Sequence, residues 1–173
     1  MSSHPIIETN RLLLREFDPV DASFFYELNK DKLVMLCTGD LPFKSIEESR
    51  LLIKNYDAYN VSGYGRWTVI IKETGECLGW CGLKKYPDGM VDLGYRFHQR
   101  NLGKGYATEA AEACIAYEFK ELGIEEVIGR TARANLASVR VLEKIGMEFW
   151  KDAPCEGIID SVFYLINNKS FDI

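Results

Sequence analysis

The residues best suited to chemistry lie in one glycine-rich turn, Arg100-Asn101-Leu102-Gly103-Lys104-Gly105, between a strand pattern and a helix pattern. A strand that runs through such a turn into a helix leaves backbone N–H groups unpaired at the positive end of the helix dipole. Groups of this kind bind phosphate oxygens. Glycine lets a diphosphate reach the backbone and permits φ above zero. The turn therefore predicts a phosphate-bearing ligand, although G-x-G turns that bind nothing are also common.

Basic residues accompany this turn in a chain that is acidic overall. The formal net charge is −5 at pH 7, yet residues 127–142 contain no acidic residue. The basic side chains are Arg96, Arg100 and Lys104 beside the turn, and Arg130, Arg133 and Arg140 in the later segment. Local positive charge beside a phosphate cradle favours a polyanionic ligand. The overall acidity disfavours a nucleic acid partner and weakly favours a cationic acceptor.

The spacing of residues in the turn excludes two other classes of phosphate-binding motif. A dinucleotide fingerprint needs Gly or Ala where Thr108 stands, and it follows the first strand of a parallel βαβ unit, whereas this turn follows a predicted meander. A nucleotide-hydrolysing loop needs G-x-x-x-x-G-K followed by Ser or Thr, and the chain has no such run. The diphosphate of coenzyme A remains the best candidate.

The elements that must position the turn alternate between strand and helix patterns. Apolar runs bounded by turn residues predict strands at residues 11–17, 67–71, 77–83, 91–97, 127–131, 147–150 and 161–166. Helical periodicity and capping residues predict helices at residues 19–28, 45–59, 103–122 and 135–145. Short turns join three of the strands, from residue 67 to residue 97, into an antiparallel meander. The order predicts a mixed α/β (α+β) sheet.

Length and composition predict one globular domain over residues 1–173. Hydrophobic residues make up 47% of the chain and charged residues 27%, which is close to the globular average. No run of about 18 apolar residues and no secretory signal pattern is present, so we expect a soluble cytoplasmic protein without membrane contact. The sequence leaves open whether two copies form a homodimer.

Cysteine and histidine counts predict neither disulfides nor a metal site. An odd number of scattered cysteines argues against a disulfide framework and favours buried free thiols. They are Cys37, Cys77, Cys81, Cys114 and Cys155. The only histidines are His4 and His98, too few to complete an ordinary four-ligand zinc site with these cysteines. We therefore expect no metal.

Residues 100–105 match Q/R-x-x-G-x-G/A, and in this motif the chain resembles the GNAT acetyltransferase superfamily, in which the motif binds pyrophosphate. The likeness covers nearly the whole chain and extends to the branch that contains the ribosomal-protein alanine N-acetyltransferases. The segments that carry it are Thr9-Asn10-Arg11-Leu12-Leu13-Leu14-Arg15, Asp21-Ala22, Gly79-Trp80-Cys81-Gly82-Leu83, Leu93-Gly94-Tyr95, Gly105-Tyr106-Ala107-Thr108-Glu109-Ala110 and residues 135–147.

The resemblance implies a fold and a cofactor site. The fold is a sheet of six to seven mostly antiparallel strands, flanked by about four helices, in which strands four and five are parallel and splay apart around pantetheine. Those strands would be residues 91–97 and 127–131. The implied acetyl-CoA contacts are Tyr95, Arg96 and Phe97 for pantetheine, and Arg100, Leu102, Gly103, Lys104, Gly105, Tyr106 and Ala107 for the diphosphate, with a further contact from Asn135.

Three roles in acetyl transfer need candidates: a proton acceptor for the amine, a donor to the oxyanion and a donor to the leaving thiolate. A backbone N–H near Tyr95 suits the oxyanion. Asp92 is the candidate base, although a surface carboxylate is the simpler interpretation. Ser138 matches a serine that the resembled branch places near the coenzyme sulfur, although Asn135 and Ser138 also read as an ordinary helix cap. Leu142 stands where related enzymes often carry a tyrosine acid.

The acceptor remains open between two classes of amine. One is a protein N-terminal amine, with an extended peptide in a groove between the helices near Tyr56 and the sheet. The other is a small amine such as a polyamine, an aminoglycoside or an amino acid derivative. The aromatic residues Trp67, Tyr95 and Phe97 either wall an acceptor pocket or belong to the core. A third hypothesis is a coenzyme A-binding regulatory module without turnover, which the vacancy at Leu142 keeps open.

Overall fold

A computed structural model describes residues 5–35, 40–155 and 157–171. His4 and Cys37, which entered the counts above, lie outside the described residues. The strands of the described chain are β1 (Pro5–Glu8), β2 (Leu12–Arg15), β3 (Arg66–Ile71), β4 (Cys77–Lys85), β5 (Val91–Phe97), β6 (Glu126–Ala132), β7 (Glu148–Asp152) and β8 (Ser161–Asn167). They form one sheet in the order β1-β2-β3-β4-β5-β6-β8-β7. Neighbouring strands are antiparallel except β5 and β6, which are parallel.

The predicted mixed sheet is confirmed, with one strand more than expected. The additional strand is β1, which pairs with β2 at the sheet edge and buries only Ile7. A single buried position gives no alternation that a sequence pattern could register. The predicted fourth and fifth strands are therefore β5 and β6.

The helices of the described chain are α1 (Ala22–Lys30), α2 (Lys32–Met35), α3 (Ile46–Lys54), α4 (Ala58–Ser62), α5 (Tyr106–Glu121) and α6 (Leu136–Lys144). The prediction of one helix over residues 45–59 was wrong, because the helix ends at the Asn55 cap and a second helix begins after Asp57. Its predicted start is confirmed, since Ser45 Oγ accepts a hydrogen bond from the Glu48 N–H at 3.1 Å. None of these helices is long and apolar enough to cross a bilayer.

The two faces of the sheet differ in chemistry. The face under α5 and α6, here called the α5 face, carries the main core. Small residues of α5 lie fully buried against it, including Ala110, Ala111 and Cys114, so the helix packs closely on the strands. The opposite face, here called the α1 face, holds a second apolar cluster around Phe25 and Ile53. Beyond that cluster it carries charged side chains of β3, β5 and β6.

Of the cysteines, Cys81 and Cys114 are buried thiols in the core below β4 and α5. Cys77 and Cys155 are half-buried and also free.

Candidate functional site

A gap opens between β5 and β6 in the middle of the sheet. The two strands pair only at Asp92 with Ile128 and at Leu93 with Gly129. Beyond Leu93, β5 continues to Phe97 while β6 no longer meets it. Two parallel strands that pair only near the start of β5 and the middle of β6 diverge toward their carboxyl ends. The widening gap leads to the glycine-rich turn, which follows β5 directly.

Backbone groups of β5 line this gap. On its other side β5 pairs with β4, and the His98 N–H donates to the Leu78 carbonyl oxygen at 3.1 Å. Along an antiparallel strand the backbone groups of alternate residues point to opposite neighbours. The N–H and C=O groups of Tyr95 and Phe97 therefore point toward β6, into the gap. An extended chain lying in the gap meets donors and acceptors at a strand's spacing.

The glycine-rich turn presents its amides in the geometry expected for an anion site. Gly103 and Gly105 have φ of +75° and +80°, in the left-handed region that favours glycine. Gly105 is the cap residue of α5, and no side chain satisfies the helix terminus there. Among the described residues, the N–H groups from Gly103 to Thr108 donate to no backbone acceptor. These amides gather at the positive end of the α5 dipole, where a diphosphate binds favourably.

A charged clamp ties this turn to the β1–β2 connection. The Glu109 carboxylate accepts hydrogen bonds from Thr9 Oγ1 at 2.6 Å, from the Arg11 N–H at 3.0 Å and from Arg11 Nε at 2.7 Å. Arg11 Nη1 donates to the Lys104 carbonyl oxygen at 3.0 Å, and the guanidinium lies 4.5 Å from the Tyr106 ring centre. Burial acts to raise the pKa of Glu109, but these hydrogen bonds outweigh it and lower the pKa. The ionised carboxylate thus holds the turn in place.

Tyr95 and Ser138 meet on the α5 face at the start of the gap. The Tyr95 hydroxyl lies 2.8 Å from Ser138 Oγ and donates to the Ser138 carbonyl oxygen at 3.1 Å. Burial raises the pKa of Tyr95 above its ordinary value, despite the hydrogen bond with Ser138, which lowers it. Asn135 Oδ1 accepts from the Ser138 N–H at 3.2 Å, so the predicted helix cap is confirmed. Two hydroxyl groups that can pass a proton therefore lie beside the gap.

Asp92 is not the surface carboxylate that its position at a strand start suggested. It is buried on the α1 face, and its two oxygens accept from Arg130 Nε at 3.2 Å and Arg130 Nη2 at 3.1 Å. Burial raises the pKa of Asp92, while Arg130 acts to lower it. Both oxygens are engaged, so this geometry argues against Asp92 as the general base. The same pair removes Arg130 from the positive charge expected around the turn.

The other basic candidates also lie apart from a common cradle. Arg96 points to the α1 face, where Nη1 donates to Asn29 Oδ1 at 2.7 Å and Nη2 pairs with Asp40. Arg100 is exposed and pairs with Glu76 at 3.2 Å. The backbone of Arg96 pairs with Trp80 of β4, away from the gap, so the geometry argues against the predicted contact of Arg96 with the cofactor. Arg133 pairs with Asp152 and Asp160 beyond β6.

The remaining candidates divide between the core and the surface. Trp67 is buried on the α5 face with its ring 5.7 Å from that of Tyr117, so it belongs to the core. Phe97 is also buried there. Leu142 is buried in α6 and its methyl groups lie against Gly129 of β6. Leu102 and Lys104 are exposed on the turn.

A groove opens on the α1 face near Tyr56, beside the closed end of the gap. Its cavity volume is about 370 Å³. The charged residues on its wall are Asp57, Arg66, Lys84 and Lys85, and its rings are Tyr56 and Tyr64. The Tyr56 hydroxyl accepts from the Arg66 N–H at 2.8 Å, which fixes the groove to β3. The groove is basic although the whole chain is acidic. The described residues contain no cluster of three or more side chains suited to hold a metal ion.

Comparison with known proteins shows which family the chain is similar to. Residues 11–148 match the model of the acetyltransferase (GNAT) domain. The uncharacterized protein YkkB of Bacillus subtilis strain 168 is 36% identical over 157 residues, which cover 87% of this chain and 90% of the relative. The uncharacterized N-acetyltransferase YnaD of the same strain is 32% identical over 142 residues, covering 82% and 81%.

A solved structure shares the fold as well. The GNAT-family acetyltransferase from Bacillus anthracis superposes with a TM-score of 0.80 at 28% identity, covering 94% of this chain and 98% of that one. The family match spans the gap, the glycine-rich turn and α6, the three features that build the site. The chain therefore belongs to the GNAT acetyltransferase family, whose members transfer an acetyl group from acetyl-CoA to an amine.

Proposed function

We propose that this enzyme binds acetyl-CoA in the gap between β5 and β6 and acetylates the N-terminal amine of a peptide or protein. The observation that carries the proposal is the gap itself, which begins after Leu93 and leads to the unpaired amides of the glycine-rich turn. Pantetheine would pair with the backbone of Tyr95 and Phe97. The diphosphate would pair with the amides from Gly103 to Ala107, because the Leu102 N–H already donates to the Gln99 carbonyl oxygen at 3.0 Å. No step requires a metal ligand.

The residues at the closed end of the gap suit acyl transfer. The Tyr95 N–H points into the gap and is a donor for the oxyanion that develops on the thioester carbonyl. Ser138 Oγ, held by the Tyr95 hydroxyl, is the donor to the departing thiolate. Tyr95 passes its proton to Ser138 and regains one from water, so that both hydroxyls end the step protonated. This pair fills the role that Leu142 leaves vacant, which weakens the hypothesis of an inactive regulatory module.

The acceptor would enter through the groove near Tyr56. That groove lies on the α1 face, opposite the face that carries Ser138, so acceptor and leaving group would lie on opposite sides of the sheet. The amine must lose its proton before attack, and because Arg130 engages Asp92, we assign that loss to water in the open groove. Asn135 and Arg100 are proposed to touch the cofactor at the rim.

The acceptor class is tested by a panel of amines with acetyl-CoA. We expect thiol release with short peptides that have a free N-terminus, and acetylation at that amine detected by mass spectrometry. The same peptides with blocked N-termini are the matched controls and should give no release. Turnover of spermidine or an aminoglycoside, without turnover of any peptide, would contradict the peptide assignment and favour a small amine.

The clamp on the glycine-rich turn gives a second test. In Glu109→Gln we expect the dissociation constant of acetyl-CoA to rise about fivefold, since losing one net hydrogen bond loosens the Lys104 carbonyl and the turn. Isothermal titration calorimetry measures the change. Glu112→Gln removes an exposed carboxylate three residues further along α5 and serves as the control. Equal affinities in the two variants would show that the clamp does not position the turn.

A further inference from the structure

We infer that the acceptor carries a negative charge close to its amine, and that Arg66 binds this charge. The inference rests on the proposed function and names its substrate class: peptides with an acidic side chain in the first two residues. Three observations support the inference: the position of the Arg66 guanidinium, the lack of an ion-pair partner for it among the described residues, and the basic character of the groove that it lines.

Arg66 lies at the closed end of the gap, on the α1 face. Its guanidinium is stacked over the Trp80 ring, 4.3 Å from the ring centre. Nη2 lies 3.5 Å from the position that a Cβ on Gly94 would take. Gly94 is the first β5 residue beyond the pairing with β6. The guanidinium thus lies beside Gly94, the residue that precedes Tyr95. The N–H of Tyr95 is proposed to face the reacting carbonyl.

Arg66 makes no ion pair in the described part of the chain, and the carboxylate that acts on it from nearby, Asp92, is held by Arg130. On the same face Arg130 is paired with Asp92, and Arg96 with Asp40. Among the described residues no carboxylate lies within ion-pairing distance of Arg66. Its Nε is buried and has no hydrogen-bond partner in the described part of the chain. The Arg66 side chain is only half-buried, so an anionic ligand in the groove can reach its Nη groups and supply charge-assisted hydrogen bonds to them.

The charge of the groove around Arg66 also favours an anionic acceptor over a cationic one. Lys84 and Lys85 share its wall, against the single carboxylate of Asp57, which accepts a hydrogen bond from Asn60 at 2.7 Å. A wall of this charge repels a polyamine and attracts an anion. The volume of about 370 Å³ is at the small end for ligand pockets. It suits the first residues of a peptide, with the charge near the amine.

The experiment compares peptides that differ only at the second residue, beginning Ala-Asp, Ala-Asn and Ala-Lys, with spermidine as a non-peptide amine. We expect kcat/KM for the Asp peptide to exceed that for the Asn peptide by roughly tenfold or more, as for a charge-assisted hydrogen bond. The Lys peptide should be the poorest of the three. Equal values for all three peptides would overturn the inference while leaving the peptide function intact, whereas no turnover of any peptide would remove the function itself.

Variants of Arg66 test whether this residue causes the preference for an acidic second residue. Arg66→Gln should reduce the Asp-to-Asn ratio to about one, and Arg66→Lys should keep part of it because the charge remains. Lys120→Gln, on the exposed side of α5, should keep the full ratio. A ratio that survives in Arg66→Gln overturns the assignment. If that variant does not fold, the salt dependence of the ratio in the unaltered enzyme decides, since an ionic contact weakens as salt rises.

Discussion

Replacement of Gly103 and Gly105 by aspartate is expected to abolish saturable binding of acetyl-CoA. Both residues have positive φ, at +75° and +80°, where a side chain adds strain of about 1–2 kcal/mol per residue. The two carboxylates also place negative charge beside the amides proposed to bind the diphosphate. Together these effects should raise the dissociation constant by at least about a hundredfold. Isothermal titration calorimetry and thiol release with the best acceptor measure binding and turnover.

The control variant introduces the same kind of backbone strain at two glycines outside the turn. Gly75 and Gly123 also have positive φ, at +72° and +64°, and no atom lies within 4 Å of a Cβ added at either. A Gly75→Asp/Gly123→Asp variant should lose similar stability and retain cofactor affinity. A Gly103→Asn/Gly105→Asn variant separates strain from charge, because asparagine tolerates this region better and is neutral. Unchanged binding in the aspartate variant would place the cofactor elsewhere.

The glycine-rich turn could be predicted from sequence because its chemistry is contiguous. A strand, a glycine pair and a helix in succession determine the direction of the amides without any distant partner. The predicted strands on either side of the gap, β5 and β6, are also confirmed, since each is a short apolar run with clear boundaries. Local patterns of this kind carry their own geometry.

Contacts between distant segments could not be predicted in the same way. The clamp joins Arg11 to Glu109, 98 residues away, and the hydroxyl pair joins Tyr95 to Ser138, 43 residues away. Each depends on strand register and on the docking of a helix, which no single segment encodes. The segments that contain Thr9, Arg11 and Glu109 were nevertheless part of the family resemblance, and the structure supplies their physical role.

Overall composition does not predict the charge of the groove proposed to bind the acceptor. The chain is acidic, which favoured a cationic acceptor, yet the groove near Tyr56 is basic. Composition averages over the surface, whereas a groove samples only the few side chains that the register brings together. The parallel pairing of β5 with β6 likewise brings Arg130 to Asp92, and this turned an apparent surface carboxylate into a buried ion pair.

Removal of the Ser138 hydroxyl is expected to lower kcat about a hundredfold with little change in acetyl-CoA affinity, as loss of a general acid does. Ser138→Ala removes the proposed proton donor, and Tyr95→Phe removes the group that holds and recharges it. Because burial raises the pKa of Tyr95, its hydroxyl stays protonated through the alkaline range. The unaltered enzyme should therefore show no loss of kcat up to about pH 9 from ionisation of this tyrosine.

The double variant distinguishes a hydroxyl pair from two independent groups. If Tyr95 acts only through Ser138, Tyr95→Phe/Ser138→Ala should be no slower than Ser138→Ala alone, because residues that act as a unit are not additive. Tyr117→Phe, which removes a tyrosine hydroxyl from the core side of α5, should keep the original kcat. Multiplicative losses in the double variant would give Tyr95 a separate role at the reacting atoms. An unchanged kcat in Ser138→Ala would contradict the proposed role of Ser138. The backbone of β5 would then stabilise the oxyanion, and water would protonate the thiolate.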